Sequence, residues 1–158
     1  MKPSLDLIDR KILLELQRDA TLSVAQLADR VGLSATPCWK RVQKLEHAGV
    51  ILGRVALVDP VALGLGLTVF VEVQAADHGP AWRERFAEVV AAMPEVMELH
   101  RMAGDVDYLL RVSVADMAAY DAFYKRLTDA AAPKNVTSRF AMERIKSVTA
   151  YPVDVTTR

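Results

Sequence analysis

Apolar residues recur at every third or fourth position through the first fifty residues and at every second position through much of the rest, so the chain changes period midway. Leu5, Ile8, Ile12, Leu13 and Leu16 predict a helix over 5–17, with Asp6 and Asp9 at the end where the helix dipole favours anions. Asp19-Ala20-Thr21 breaks it, and Ser23 caps a short second helix over 24–31, with Val24, Leu27, Ala28 and Val31 on its apolar side. Gly32 supplies the sharp turn that follows, because it accepts positive φ without a Cβ clash. The third helix, SATPCWKRVQKLEHAG over 34–49, opens on Ser34 as a side-chain cap, tolerates Pro37 in its first turn and ends on Gly49 as its C-cap. At about 100° per residue, Cys38, Val42, Leu45 and Gly49 form a narrow apolar or small stripe. Thr36, Lys40, Gln43 and His47 fall opposite, flanked by Lys44 and Trp39. Three short helices, the last two separated by about three residues, have the spacing of a helix-turn-helix.

Beyond Gly49, residues 50–58 alternate loosely and read as an extended segment, and Asp59-Pro60 and Gly64-Leu65-Gly66 mark a hinge. Strands are expected over 67–73, 96–102, 108–114 and 136–142, with 145–151 extending the sheet. Helices are expected over 80–93, with Pro80 at its start and Trp82, Phe86, Val89, Val90 and Met93 inward, and over 117–130 behind an Asp116 cap. The order β-α-β-β-α-β is the split βαβ, ferredoxin-like arrangement, an antiparallel sheet with both helices on one face. Because Val69, Val71, Leu110 and Val112 are not expected all to point inward, the second sheet face needs a cover, most simply a partner subunit. The reading is α+β, with a DNA-binding-type helical domain at 1–52, a linker strand and hinge at 53–66, and a sheet domain at 67–158.

At 158 residues and 52% hydrophobic, the chain holds enough apolar surface for packed cores. Its net charge of zero argues against nucleic acid until the distribution is considered: residues 1–54 carry nine Lys/Arg against six Asp/Glu, and residues 55–158 eleven against fourteen. The single cysteine, Cys38, excludes an internal disulfide, and neither it nor the scattered His47, His78 and His100 offers metal-ligand spacing, so no metal and no cofactor are expected. No signal peptide or membrane-spanning run is visible, which predicts a cytoplasmic protein with no membrane partner.

Two stretches carry candidate chemistry. On the third helix, Lys40, Arg41 and Lys44 can take phosphates, while Thr36, Lys40 and Gln43 can reach base edges in a major groove. An ordinary solvated face explains the same residues less well once the caps, Gly32 and the local positive charge are added. Trp39 reads as packing and His47 as a solvated helix end. In Gly104-Asp105-Val106-Asp107-Tyr108, two carboxylates beside a glycine turn can hold an ammonium, and the glycine N–H can meet a carboxylate; on these residues alone, a hairpin turn with solvated acids is the stronger reading. The chain shows no Ser-His-Asp arrangement, no Gly-rich phosphate loop and no partnered nucleophilic cysteine, so it does not read as an enzyme.

These residues together resemble the Lrp/AsnC (feast/famine) transcription regulators over nearly the whole length. The match runs through LDLIDRKILLELQRDATLSVAQLADRVGLSATPCWKRVQKLEHAGVILG, then ELHRMAGDVDYLLRVSVADMAAYDAFYKRL and VTSRFAMERIK. The resemblance implies a winged-helix/helix-turn-helix domain joined to a ferredoxin-like βαββαβ sandwich of RAM/ACT type that senses amino acids and oligomerises. It implies homodimers built through the sheets and assembling to tetramers or octamers, a linker strand near 50–57 pairing between protomers, and double-stranded DNA and an amino-acid effector as partners. Carried onto this chain, it marks Ser34, Thr36, Lys40, Arg41, Gln43, Lys44 and Arg54 for DNA, and Gly104, Asp105, Asp107, Tyr108, Met117, Phe140, Ala141 and Met142 for the effector, with Tyr120 beside Met117. Three departures stand out: Ala103 where the family often has Ser or Thr, Ala132-Pro133-Lys134-Asn135-Val136 for the usual Leu-Pro-Gly-Val, and Arg54 where an aromatic is common. The expected function is a sequence-specific regulator whose assembly or DNA affinity answers to an amino acid; the alternative is an architectural, nucleoid-type DNA binder with no physiological ligand.

Overall fold

The computed structural model describes residues 4–156. The chain divides into two compact units: one runs to Ala56 and resumes at Lys146, and the other is Leu57–Ile145.

The first unit holds α1 (Leu7–Arg18), α2 (Val24–Val31) and α3 (Ala35–His47). Reciprocal capping boxes open the first two: Asp6 with Asp9 on α1, and Ser23 with Gln26 on α2. Gly32 is left-handed at φ 73°, and Leu33 N–H returns to the Ala28 carbonyl at 2.8 Å, the 6→1 bond of a Schellman stop. The same device ends α3, where Val50 N–H reaches Leu45 O at 3.0 Å and Gly49 N–H reaches Glu46 O at 3.0 Å. Ala48 is therefore the C-cap, and Gly49, at φ 67°, is the residue after it. Ser34 does sit at the α3 N-cap, but its side chain makes no capping hydrogen bond. A cap hydroxyl accepts from the second or third N–H of its helix, and the third residue here is Pro37, which has none. Ile12, Leu27, Ala28, Val31, Cys38, Val42 and Leu45 form the buried core. Burial raises the Cys38 thiol pKa, which suits an inert core residue.

Two expected extended segments pair with no strand of this chain. Residues 50–66 form no ladder within this chain, and Leu52, Val55, Leu57 and Val58 are exposed along them. Residues 145–151 do not extend the sheet either. The tail belongs instead to the helical unit, where the Gln17 carboxamide binds both backbone groups of Tyr151, at 2.7 and 3.2 Å.

The second unit holds β1 (Leu67–Gln74), α4 (Pro80–Ala91), β2 (Val96–Arg101), β3 (Tyr108–Val114), α5 (Met117–Ala131) and β4 (Asn135–Phe140). The strand order β2-β3-β1-β4, antiparallel throughout, is that of the ferredoxin-like fold. Pro80 starts α4, and the Asp116 side chain accepts the Ala119 N–H to start α5. Val69 pairs with Val112 and Val71 with Leu110, so all four share one face; each is wholly buried in the cluster that holds Phe86, Val90, Phe123 and Leu127 of the two helices. This overturns the expectation that these four could not all point inward: period-two alternation puts them on one side by construction. The opposite face carries Phe70, 37% exposed, and the ion pairs Glu72–Arg139 and Glu98–Arg111, each at 2.7 Å. β4 stops at Phe140, two residues short of the expected end, although Ala141 N–H still reaches the Thr68 carbonyl.

Candidate nucleic-acid interface and effector loop

The outer surface of α3 follows from its buried stripe. With Cys38, Val42 and Leu45 inward, Ser34, Thr36, Trp39, Lys40, Lys44 and His47 are exposed. Lys40 makes no ion pair or hydrogen bond among the described residues, which leaves its ammonium available to an anion. Trp39 is 50% exposed and stacks on no other ring among the described residues, so it is a surface indole and not the packing residue expected from sequence. Gln43 is half-buried and donates to Glu46 at 2.8 Å, and His47 Nδ1 donates to the Gln43 carbonyl at 2.6 Å. Arg54 pairs with the same Glu46 at 3.0 Å.

Arg41 differs from the other cations of α3. It lies only about 60° from the middle of the buried stripe, and its Nη1 bridges Asp6 at 2.6 Å and Asp9 at 2.7 Å. Those two carboxylates keep the guanidinium firmly charged, Asp6 first and Asp9 second. Asp6 is pulled below the usual carboxylate range, chiefly by the Asp9 backbone N–H and then by Arg41. Asp9 itself is wholly buried, and its second oxygen lies 3.3 Å from Lys44 Nζ. The expectation that Arg41 takes phosphate fits its geometry poorly: two carboxylates already hold its Nη1, and the side chain is 30% exposed against 60% for Lys44.

The loop joining β2 to β3 is built by its acids. Gly104, at φ 118°, occupies backbone that other residues avoid. The Asp107 Oδ2 accepts the Ala75 N–H at 2.8 Å, its Oδ1 lies 3.5 Å from His78 Nδ1, and Gln74 donates to the Asp105 carbonyl at 3.0 Å. Asp105 keeps an exposed side chain with no partner among the described residues, whereas Asp107 is committed to the scaffold. The two carboxylates thus do not present an equivalent pair. Tyr108 is mostly a core residue, 4.5 Å ring to ring from Phe86, and only its edge reaches the surface.

The remaining effector candidates sit elsewhere. Val69 pairs with Phe140, while Asp107 N–H bonds Val73, and those two β1 positions are about 13 Å apart along the strand. Phe140, Ala141 and the fully exposed Met142 therefore lie at one end of the sheet and the acidic loop at the other. Met117, exposed at the start of α5, follows the strand end where Val114 pairs with Leu67, so it belongs with the Phe140 group. Phe140 meets Tyr120 edge-on at 5.2 Å, and the Tyr120 hydroxyl bonds Ser138. Within one chain the candidates make two groups and not one pocket. Sequence reasoning missed Arg83 and Arg101, which line a small cleft with Ala75, His78, Asp107 and Tyr108. Their only signal in the sequence is a pair of arginines on a helix and a strand whose apolar positions define the pattern. Among the described residues no cluster of His, Cys, Asp or Glu could hold a metal, and no helix is long and apolar enough to cross a membrane.

Comparison with known proteins bears on both halves. A winged helix-turn-helix DNA-binding model matches residues 5–51, and the Lrp/AsnC ligand binding domain matches residues 68–151. The DNA-binding transcriptional activator DecR of Escherichia coli is 53% identical over 151 residues, covering 95% of this chain and 99% of its own. The crystal structure of an AsnC family transcriptional regulator from Agrobacterium tumefaciens superposes with a TM-score of 0.92 at 56% identity, covering 97% of this chain and 100% of its own. A transcriptional regulator from Neisseria meningitidis, solved as an L-Met complex, has a TM-score of 0.89 at 35% identity, covering 94% and 97%. Fold and matches together define a DNA-binding transcription regulator with a ligand-binding domain. The chain belongs to the Lrp/AsnC family.

Proposed function

We propose that this chain is a one-component sensor, in which the outer face of α3 enters the major groove and an amino acid held by the sheet domain sets the assembly that presents it. The observation that carries the DNA half is the uncommitted Lys40 at the centre of an exposed face also bearing Thr36, Lys44 and His47. Ser34, Thr36, Lys40, Gln43, Lys44 and Arg54 form the DNA surface, with Trp39 at its flank. In a homodimer, two such helices meet successive major-groove faces about 34–36 Å apart. The DNA-binding domain takes in the residues up to 52 and the tail from Lys146, with 53–66 as linker. Working on DNA, the chain acts in the cytoplasm.

For the effector half, the L-Met complex of the Neisseria regulator supports an amino-acid ligand, and the ligand-binding-domain match favours this over an architectural DNA binder without a ligand. The site draws Gly104 and Asp105 from one protomer and Met117, Phe140, Ala141 and Met142 from another, which reconciles the two ends of the sheet. Asp107 and Tyr108 shape the loop from beneath. The exposed apolar linker and the open sheet face carrying Phe70 are covered by partner subunits, giving dimers and then tetramers or octamers. The amino acid acts only through its preference for one assembly state.

Thermal-shift screening of the twenty amino acids tests this reading: a true effector raises the melting temperature because it binds the folded form. Asp105→Ala is expected to abolish that rise while leaving DNA binding in place. A full rise in the variant would remove Asp105 from the site, and no rise with any amino acid on the parent chain would favour the architectural reading.

A further inference from the structure

The helical unit contains an ionic cluster that the DNA surface does not account for. Asp9 is a charged residue with no exposed surface, on the first turn of α1. A buried carboxylate is costly unless each oxygen is satisfied. Here Oδ1 takes Arg41 at 2.7 Å, and Oδ2 faces Lys44 at 3.3 Å and the Asp6 N–H at 3.4 Å. Asp6 adds the second carboxylate on Arg41 at 2.6 Å. Both cations stand on α3, while Asp9 lies on α1 and Asp6 is its N-cap, so the cluster ties the two helices together near the point where α1 begins.

Apolar packing alone leaves a short helix some freedom to roll, because Cys38, Val42 and Leu45 are small or pliant knobs. A charge pair held at two points removes that freedom, and buried polar groups are best attested in fixing register. We propose that Asp9, Asp6 and Arg41 form a positioning clamp that sets the roll and pitch of α3, so that Arg41 contributes to DNA specificity through geometry and not through a phosphate contact. Lys44, 60% exposed and tethered to Asp9, is aimed by the same clamp. The inference rests on α3 being the DNA-reading helix; a parent chain that bound no duplex would defeat that reading first, before the clamp was tested.

The clamp makes a prediction opposite in sign to simple electrostatics. Removing a carboxylate beside a cationic DNA surface should, by charge alone, strengthen binding to every duplex. Asp9→Asn and Asp6→Asn in the full chain are to be titrated against a duplex selected by the parent chain from a random pool and against poly(dI-dC). Asparagine still caps a helix, so Asp6→Asn keeps the start of α1 and folds even where Asp9→Asn does not. The expected result is unchanged or tighter binding to poly(dI-dC) with weaker binding to the selected duplex, so that the ratio of the two falls by about tenfold for Asp9→Asn and severalfold for Asp6→Asn. A gain on both duplexes with the ratio preserved, in whichever of the two variants melts cooperatively, would overturn the clamp and return Arg41 to the phosphate contacts.

Discussion

Replacing both Lys40 and Lys44 with alanine is expected to weaken DNA binding by about ten- to a hundredfold at physiological salt and to lower the slope of log K against log salt by about 2. Each ammonium that meets a phosphate releases about 0.9 of a counterion, so the change in slope reports how many phosphates the variant no longer neutralises. Folding should be nearly unaffected. Lys40 has no partner to lose among the described residues, and the loss of Lys44 takes from the buried Asp9 only the longer of its two cation contacts, 3.3 Å against 2.7 Å for Arg41. Asp9 retains Arg41 and the Asp6 N–H after the change. Fluorescence anisotropy over a salt series reads both quantities, and an unchanged slope would mean that these lysines face something other than DNA.

The second large effect lies in the sheet domain. Phe123 is wholly buried on α5 among Val69, Val71, Leu110 and Val112. Phe123→Ala deletes a ring where the sheet cannot collapse to fill the space, and should cost about 3–5 kcal/mol. The helical unit has its own core, with no residue in common with this one. Calorimetry should therefore show an early transition for the sheet domain and a retained one for the helices. If assembly runs through the sheet, affinity for a two-half-site duplex should fall toward that for a single half-site. A loss of less than about 1 kcal/mol would show that the cluster tolerates the void.

Local signals are legible wherever one residue fixes the backbone. Ser23 and Asp116 read as caps, Gly32 as a turn and Pro80 as a helix start, and their elements fall where expected. The strand over 108–114 is likewise readable from its alternation. What the sequence hides depends on neighbours in space. Ser34 occupies a cap position without capping because Pro37 lacks the N–H, a two-residue effect that composition conceals. Residues 145–151 hold Ile145, Val148 and Tyr151 and are expected to extend the sheet, but Gln17 claims the backbone of Tyr151. Arg41 and Lys44 look alike in sequence and both reach Asp9, but Arg41 also takes Asp6 and is 30% exposed where Lys44 is 60%. Asp105 and Asp107 look like a pair, yet one projects and the other accepts the Ala75 N–H. The exposed face of α3 is therefore readable because it follows helical periodicity alone. The effector site is not, because its two groups lie at opposite ends of one sheet and, in the proposed assembly, a neighbouring chain brings them together.

Lysine acetylation of the full chain, with and without saturating selected duplex, tests the α3 surface most directly. The orientation argued from Cys38, Val42 and Leu45 predicts that Lys40 and Lys44 become strongly protected while Lys125 and Lys134 of the sheet domain label at their original rates. Equal labelling of Lys40 and Lys44 in the bound and unbound protein would contradict it.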